Sequence, residues 1–202
     1  MDRQKVIEIA RSAMARRRTA ETREAGYIFH HGLRTAHIAM GLADRVDGAL
    51  DMHRDILFAG AVFHDIGKGT EPHNETGADM AAERLSGHCD DSEIAAIAGI
   101  IRQHNQRRRA AECTPAARVV QDADILDHCG AQEIWLAFHW NAAHDQTPRE
   151  SLAYSKGTRK QRWNTGARAA LNFEASRRAL DERLAFQRAF WKKFAEEMDG
   201  AL

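Results

Sequence analysis

Hardly any stretch of this chain alternates β-branched with polar residues, whereas Ala, Arg, Glu and Leu recur throughout. A half-buried strand needs that alternation, and an amphipathic helix needs apolar residues three and four apart. The second pattern is the one present, so the chain must bury its apolar side chains between helices. Proline, which interrupts helices, occurs only at Pro72, Pro115 and Pro148. The fold class is therefore all-α, a helical bundle with a long C-terminal helix. A chain of 202 residues can enclose one sizeable core, and a single domain over 1–202 is expected.

The 29 basic and 29 acidic side chains cancel. No global field draws the protein to nucleic acid or to an anionic membrane, so bulk nucleic-acid binding is not expected. The N-terminus, Met1-Asp2-Arg3-Gln4-Lys5, is charged rather than apolar, and no run approaches membrane-spanning length. Cys89, Cys113 and Cys129 are odd in number, far apart and without CxxC spacing. They read as reduced thiols of a cytoplasmic protein, neither a disulfide framework nor a thiolate zinc site.

Helical spacing predicts a first helix from about Asp2 to Arg18, with Arg16, Arg17 and Arg18 at a solvated end. A second runs from about His30 to Asp47. Its stripe of His31, Thr35, Ile38, Leu42 and Val46 turns His31 inward and leaves His30, Arg34 and His37 on a neighbouring face. Asp51 can cap a third helix, and a fourth spans about His73 to Leu85, with Gly77 leaving room for a close neighbour one turn from His73. Asp90 or Asp91 caps a fifth, whose Ile94, Ile97, Ala98 and Ile101 lead to His104. Thr114-Pro115 starts a sixth, which carries Asp122, Asp124, Asp127 and His128 among apolar residues. At least one of those aspartates is buried and needs a cation, but spacing does not choose among them. Ile134, Trp135, Phe138 and Trp140 read as a core helix, 151–166 as a basic loop, and 167–198 as a long final helix that packs on the bundle or on a second copy in a homodimer.

The chemistry concentrates at Val62-Phe63-His64-Asp65-Ile66-Gly67-Lys68. An imidazole and a carboxylate close an apolar helix, a glycine releases the chain, and a lysine follows. Neighbours on a helix point about 100° apart, yet both side chains can reach one point beyond the helix end, a suitable place for a metal ion.

Three pieces in order, His31-Gly32-Leu33-Arg34-Thr35-Ala36, His64-Asp65-Ile66-Gly67-Lys68 and Ala117-Arg118-Val119-Val120-Gln121-Asp122-Ala123-Asp124, resemble the HD-domain metal-dependent phosphohydrolase superfamily. The likeness covers about 27–130, with 131–202 as a helical extension, and is closest to small stand-alone bacterial members. It implies an HD-domain helical bundle whose first metal site falls on His31, His64, Asp65 and Asp124. It also implies a second metal on Asp65, His73 and His104. His73 has the alternative of a solvated helix start, so one or two ions per chain are expected. Because Asn105 and arginines follow His104, the Gly-Tyr-Pro signature of the cyclic dinucleotide phosphodiesterase branch is missing.

Two divalent ions bring four positive charges, of which Asp65 and Asp124 cancel two, leaving a site suited to phosphate. The resemblance thus implies water-mediated cleavage of a small phosphoester, such as a nucleotide, with Lys68 and Arg34 as candidates for holding phosphate charge. Asp122, Asp127 and His128 are candidates for orienting the ligands, and Arg107, Arg108 and Arg109 form a solvated loop that can attract anions. Imidazole and carboxylate donors suit manganese or iron first, then zinc, cobalt or nickel. Two other readings stand beside this one: a di-iron oxygenase and a non-catalytic nucleotide-binding module.

Overall fold

The computed structural model describes residues 1–46 and 53–201. Asp51, the expected cap of the third helix, and Asp47 lie outside them. The described residues form α1 (Arg3–Met14), α2 (Tyr27–Ala43), α3 (Arg54–Phe63), α4 (His73–Leu85), α5 (Asp91–Gln103), a 3-10 turn (Arg107–Glu112), α6 (Pro115–Asp127), α7 (Ala131–Ala143), α8 (Pro148–Lys156), α9 (Thr158–Ala170) and α10 (Glu174–Met198), with no β-strand among them. None of these helices is long and apolar enough to cross a membrane.

Side-chain caps set four of the starts among the described helices. Asp2 accepts from the Gln4 amide, Asp90 and Glu93 form a reciprocal capping box, and Thr114 caps α6 ahead of Pro115. The core lies where α2 meets α3 and α6, and where α3 meets α5, which also packs against α4. Leu57, Val62, Phe63, Ile97 and Ile101 are fully enclosed there, each worth about 1.5–3 kcal/mol of transfer energy. Two glycines let the backbones approach. A Cβ at Gly32 would lie 2.2 Å from the Val62 carbonyl oxygen, and one at Gly67 would lie 2.1 Å from that of His73. The neighbour for which Gly77 makes room is Gly67, whose amide nitrogen would be 3.1 Å from a Cβ at position 77.

Four expectations are corrected. α1 stops at Met14, and Arg17 is not solvated: it donates to the carbonyls of Ile66 and Lys68, at 2.5 and 2.8 Å, and so braces the turn after α3. Residues 151–166 are helical, shared between α8 and α9. The final helix begins at Glu174, because the buried Asp122 carboxylate accepts the amides of Asn172 and Phe173 and turns the chain there. In α7, Phe138 packs against Phe190, Trp191 and Phe194, but Trp135 and Trp140 are exposed, since α10 covers only one side of the helix.

Candidate metal centre

The donor side chains sit at or near helix ends. His31 comes from the second turn of α2, His64 follows the last residue of α3, and Asp65 lies in the next turn. His73 opens α4, His104 follows α5, and Asp124 is in the last turn of α6. His64 and His104 share one device: Nδ1 donates to the carbonyl three residues back, Ala61 or Ile101, at 2.7 Å in each case. That leaves the Nε2 lone pair pointing away from the helix. His31 Nδ1 donates instead to Asp127, also at 2.7 Å.

These atoms converge on two adjoining volumes. The Nε2 atoms of His31 and His64 are 3.1 Å apart, Asp124 Oδ1 lies 3.2 and 3.8 Å from them, and Asp65 Oδ2 is 3.9 Å from each. The other Asp65 oxygen, Oδ1, lies 3.6 Å from His104 Nε2 and 3.7 Å from His73 Nε2. Asp65 thus straddles both groups. Ligands bonded at about 2.1 Å to one ion stand about 3.0–3.5 Å apart, so the spacings of His31 Nε2 to His64 Nε2 and to Asp124 already match one ion, while those to Asp65 and both spacings of the second group are slightly open.

The charge balance also fits a cation. Two imidazole nitrogens whose other ring nitrogens are already donating face each other beside two carboxylates, whose charge Lys68 and Arg107 partly balance. Burial opposes a charge on His31, but hydrogen bonds with Asp124 and Asp127 outweigh it and raise its pKa to about 9. Burial pushes His64 down to about 4. It would push Asp65 and Asp124 upward, yet the surrounding imidazoles hold both below the usual carboxylate range. A divalent ion could take the place of the His31 proton.

The remaining candidates divide. Lys68 Nζ lies 3.3 Å from Asp65 Oδ1 and borders the open cleft above the donors. Arg34 is not beside it: its guanidinium makes two bonds to Asp127, of 2.8 and 2.9 Å, and it does not line the cleft. The expectation that Arg34 would face phosphate is therefore replaced by a positioning role through Asp127 and His31. Asp122 is likewise withdrawn, being engaged at the start of α10. Arg107 is not in a solvated loop, since it bonds the Asp124 carboxylate. His128 has both nitrogens engaged, Nδ1 donating to the Asp124 carbonyl at 2.9 Å and Nε2 accepting from Tyr27 Oη at 3.1 Å.

Tyr27 is a site residue that the sequence reading missed. Its ring stacks on His31, one turn later, with 5.5 Å between centroids, and that spacing of four was the available signal. Burial raises its pKa to about 12, so its hydroxyl stays protonated and donates to His128. The cleft has a volume of about 630 Å³, and Asp65, Lys68, Arg107, Asp124, Arg23 and Trp163 are among the residues that border it.

A family model of the HD domain matches residues 28–128. No curated protein matches the chain. Among solved structures, it is similar to an HD-superfamily hydrolase from Bacillus thuringiensis (20% identity, 98% of each chain covered, TM-score 0.67). It is also similar to a predicted HD-superfamily hydrolase from an uncultured Thermotogales bacterium (21% identity, 96% of this chain and 92% of that one, TM-score 0.64). A third similar structure is Bacillus subtilis YpgQ in complex with ADP (17% identity, 96% and 98% covered, TM-score 0.67). The matched segment is half of the 202 residues and contains both donor groups; the chain belongs to the HD-domain family.

Proposed function

We propose that this protein hydrolyses a phosphoester of a small molecule, with nucleotides as the leading substrate class, using manganese or iron held by His31, His64, Asp65 and Asp124. What carries the reading is the convergence of two fixed-tautomer imidazoles and two carboxylates, with spacings of 3.1–3.9 Å, at the floor of a cleft with Lys68 on its edge. A bound divalent ion supplies Lewis acidity, which polarises a phosphoryl oxygen and acidifies water at neutral pH. The protein's residues do the rest. Asp127 and Arg34 keep the His31 ring in register, Arg17 fixes the turn that carries Lys68, and Lys68 and Arg107 offer positive charge to phosphate oxygens. The Tyr27–His128 pair provides a hydroxyl and an imidazole through which a proton can pass to the leaving group. The ADP bound by YpgQ makes nucleotides the first compounds to try, and the cytoplasm is where we place the activity.

The test is phosphate release from a panel of phosphorylated metabolites by metal-loaded, chelated and reloaded protein. Release should require metal and should fall by roughly 10²-fold or more in Asp65→Ala while the helical circular-dichroism signal persists. Activity that survives either chelation or that substitution contradicts the proposal. The second donor group of Asp65, His73 and His104 favours one rival, a di-iron oxygenase. Oxygen uptake by iron-loaded protein, with no phosphate release, would select it.

A further inference from the structure

A second cavity, of about 450 Å³, opens beside the metal cleft and shares Arg23, His128 and Trp163 with it as a common wall. Among the described residues, the large hydrophobic side chains that remain most exposed are Trp135, Trp140, Tyr154, Trp163 and Phe186, and three of the five line this one cavity. Leaving three aromatic rings in water costs stability, and scattered exposure would need no explanation, but concentration in one recess does. Each tryptophan already has one face covered. His144 stacks on Trp140 at 3.8 Å between centroids, and the Lys160 ammonium lies 4.4 Å over the Trp163 ring. Even so, Trp140 remains 46% exposed and Trp163 42%.

The rings are also held in place. Lys160 is buried and paired with Glu133 at 2.7 Å, and Gln187 donates to the same carboxylate at 2.5 Å, so α9, α7 and α10 are tied together behind the recess. The walls are not uniformly apolar, because Asn141, Gln146 and Arg159 stand among the aromatics. Asn141 is already bonded to Ser151, but Gln146 and Arg159 are exposed at the wall, so a flat heteroaromatic ring with polar edges can stack on the rings and hydrogen-bond to those two side chains at its rim.

We infer that this recess is the subsite for a planar heteroaromatic group, a nucleobase in chemical class, of a substrate whose phosphate lies over the metal donors, and that Trp163 and Trp140 set the preference for it. The inference rests on the phosphohydrolase reading for the position of the phosphate, but not for the stacking. It makes α7 to α9 the specificity-determining part of the molecule, while the donors remain in the segment 28–128.

The discriminating pair of probes is AMP and ribose 5-phosphate, in which an anomeric hydroxyl replaces the base. Manganese-loaded wild type, Trp163→Leu and Trp140→Leu are titrated with each, followed by calorimetry and by the initial change in tryptophan fluorescence. Both substitutions are at exposed positions, and circular dichroism checks that the helices remain. AMP should quench wild-type fluorescence saturably, and each variant should bind it about tenfold more weakly, within the range of base–aromatic stacking. Ribose 5-phosphate affinity should stay within about twofold. The inference is overturned if AMP, GMP and CMP all fail to bind, if both variants bind AMP as wild type does, or if the two probes weaken alike. Hydrolysis is scored separately. A phosphohydrolase whose nucleotide affinity ignores both substitutions loses only the subsite, whereas stacking-dependent AMP binding without hydrolysis of any phosphoester removes the hydrolase reading and leaves the subsite standing.

Discussion

His31 is held from both sides, by Asp127 at Nδ1 and by His64 and Asp124 at Nε2. In metal-free protein its pKa rises from 6.5 to about 9. A histidine whose pKa is raised on folding contributes stability that is fully present below 6.5 and is lost as pH climbs through about 9. Metal-free protein should therefore lose on the order of 2–3 kcal/mol between those limits, measured by urea unfolding at fixed ionic strength. His64 and His128 do not offset this, since burial moves both downward and their contributions fall below pH 6.5. Metal-loaded protein should show a flat profile over the same window, because the ion takes the place of the proton, and apparent metal affinity should rise with pH. A sloping profile with metal bound, or a flat one without it, contradicts the assignment of His31.

At the level of elements, the site depends on two close backbone approaches, whereas the Asp122 cap at the start of α10 serves the fold. Gly67→Ala would thrust a methyl group at the His73 carbonyl and the Gly77 amide, 2.1 and 2.6 Å away. Because both are backbone atoms, neither can swing aside. The substitution should cost about 1–3 kcal/mol and draw His73 away from Asp65, lowering metal content toward one ion per chain; elemental analysis and urea unfolding check both. Asp122→Ala should behave differently. Its carboxylate accepts from the Asn172 and Phe173 amides and from the Asn172 side chain, so losing it should cost about 3 kcal/mol by freeing the start of α10. Manganese affinity, measured by calorimetry, should hardly change. A large fall would mean that Asp122 supports the metal donors after all.

For the molecule as a whole, what could be read from the sequence is what neighbouring residues decide. The His64-Asp65 pair, the Thr114-Pro115 start and the Asp90 cap each carry their instruction within a few residues, and the structure follows them. Thr147-Pro148-Arg149-Glu150 carries the same kind of signal, a threonine cap, a proline and a returning glutamate, but reading 151–166 as a loop overlooked it and missed α8. The break before α10 was not, because its cause, Asp122, lies 50 residues away. Arg34 could not be assigned for the same reason, its partner Asp127 being 93 positions along the chain. Trp135 and Trp140 misled because an apolar helix does not announce which of its sides will be covered.

The account comes down to one convergence: an α2 imidazole, the His-Asp pair after α3 and an α6 carboxylate around a single ion. Anomalous diffraction from manganese-soaked crystals measures this directly. The account predicts a manganese peak about 2.0–2.3 Å from Nε2 of His31 and of His64 and from oxygens of Asp65 and Asp124. A strong peak elsewhere, or none at this cluster while metal-dependent phosphate release persists, would contradict it.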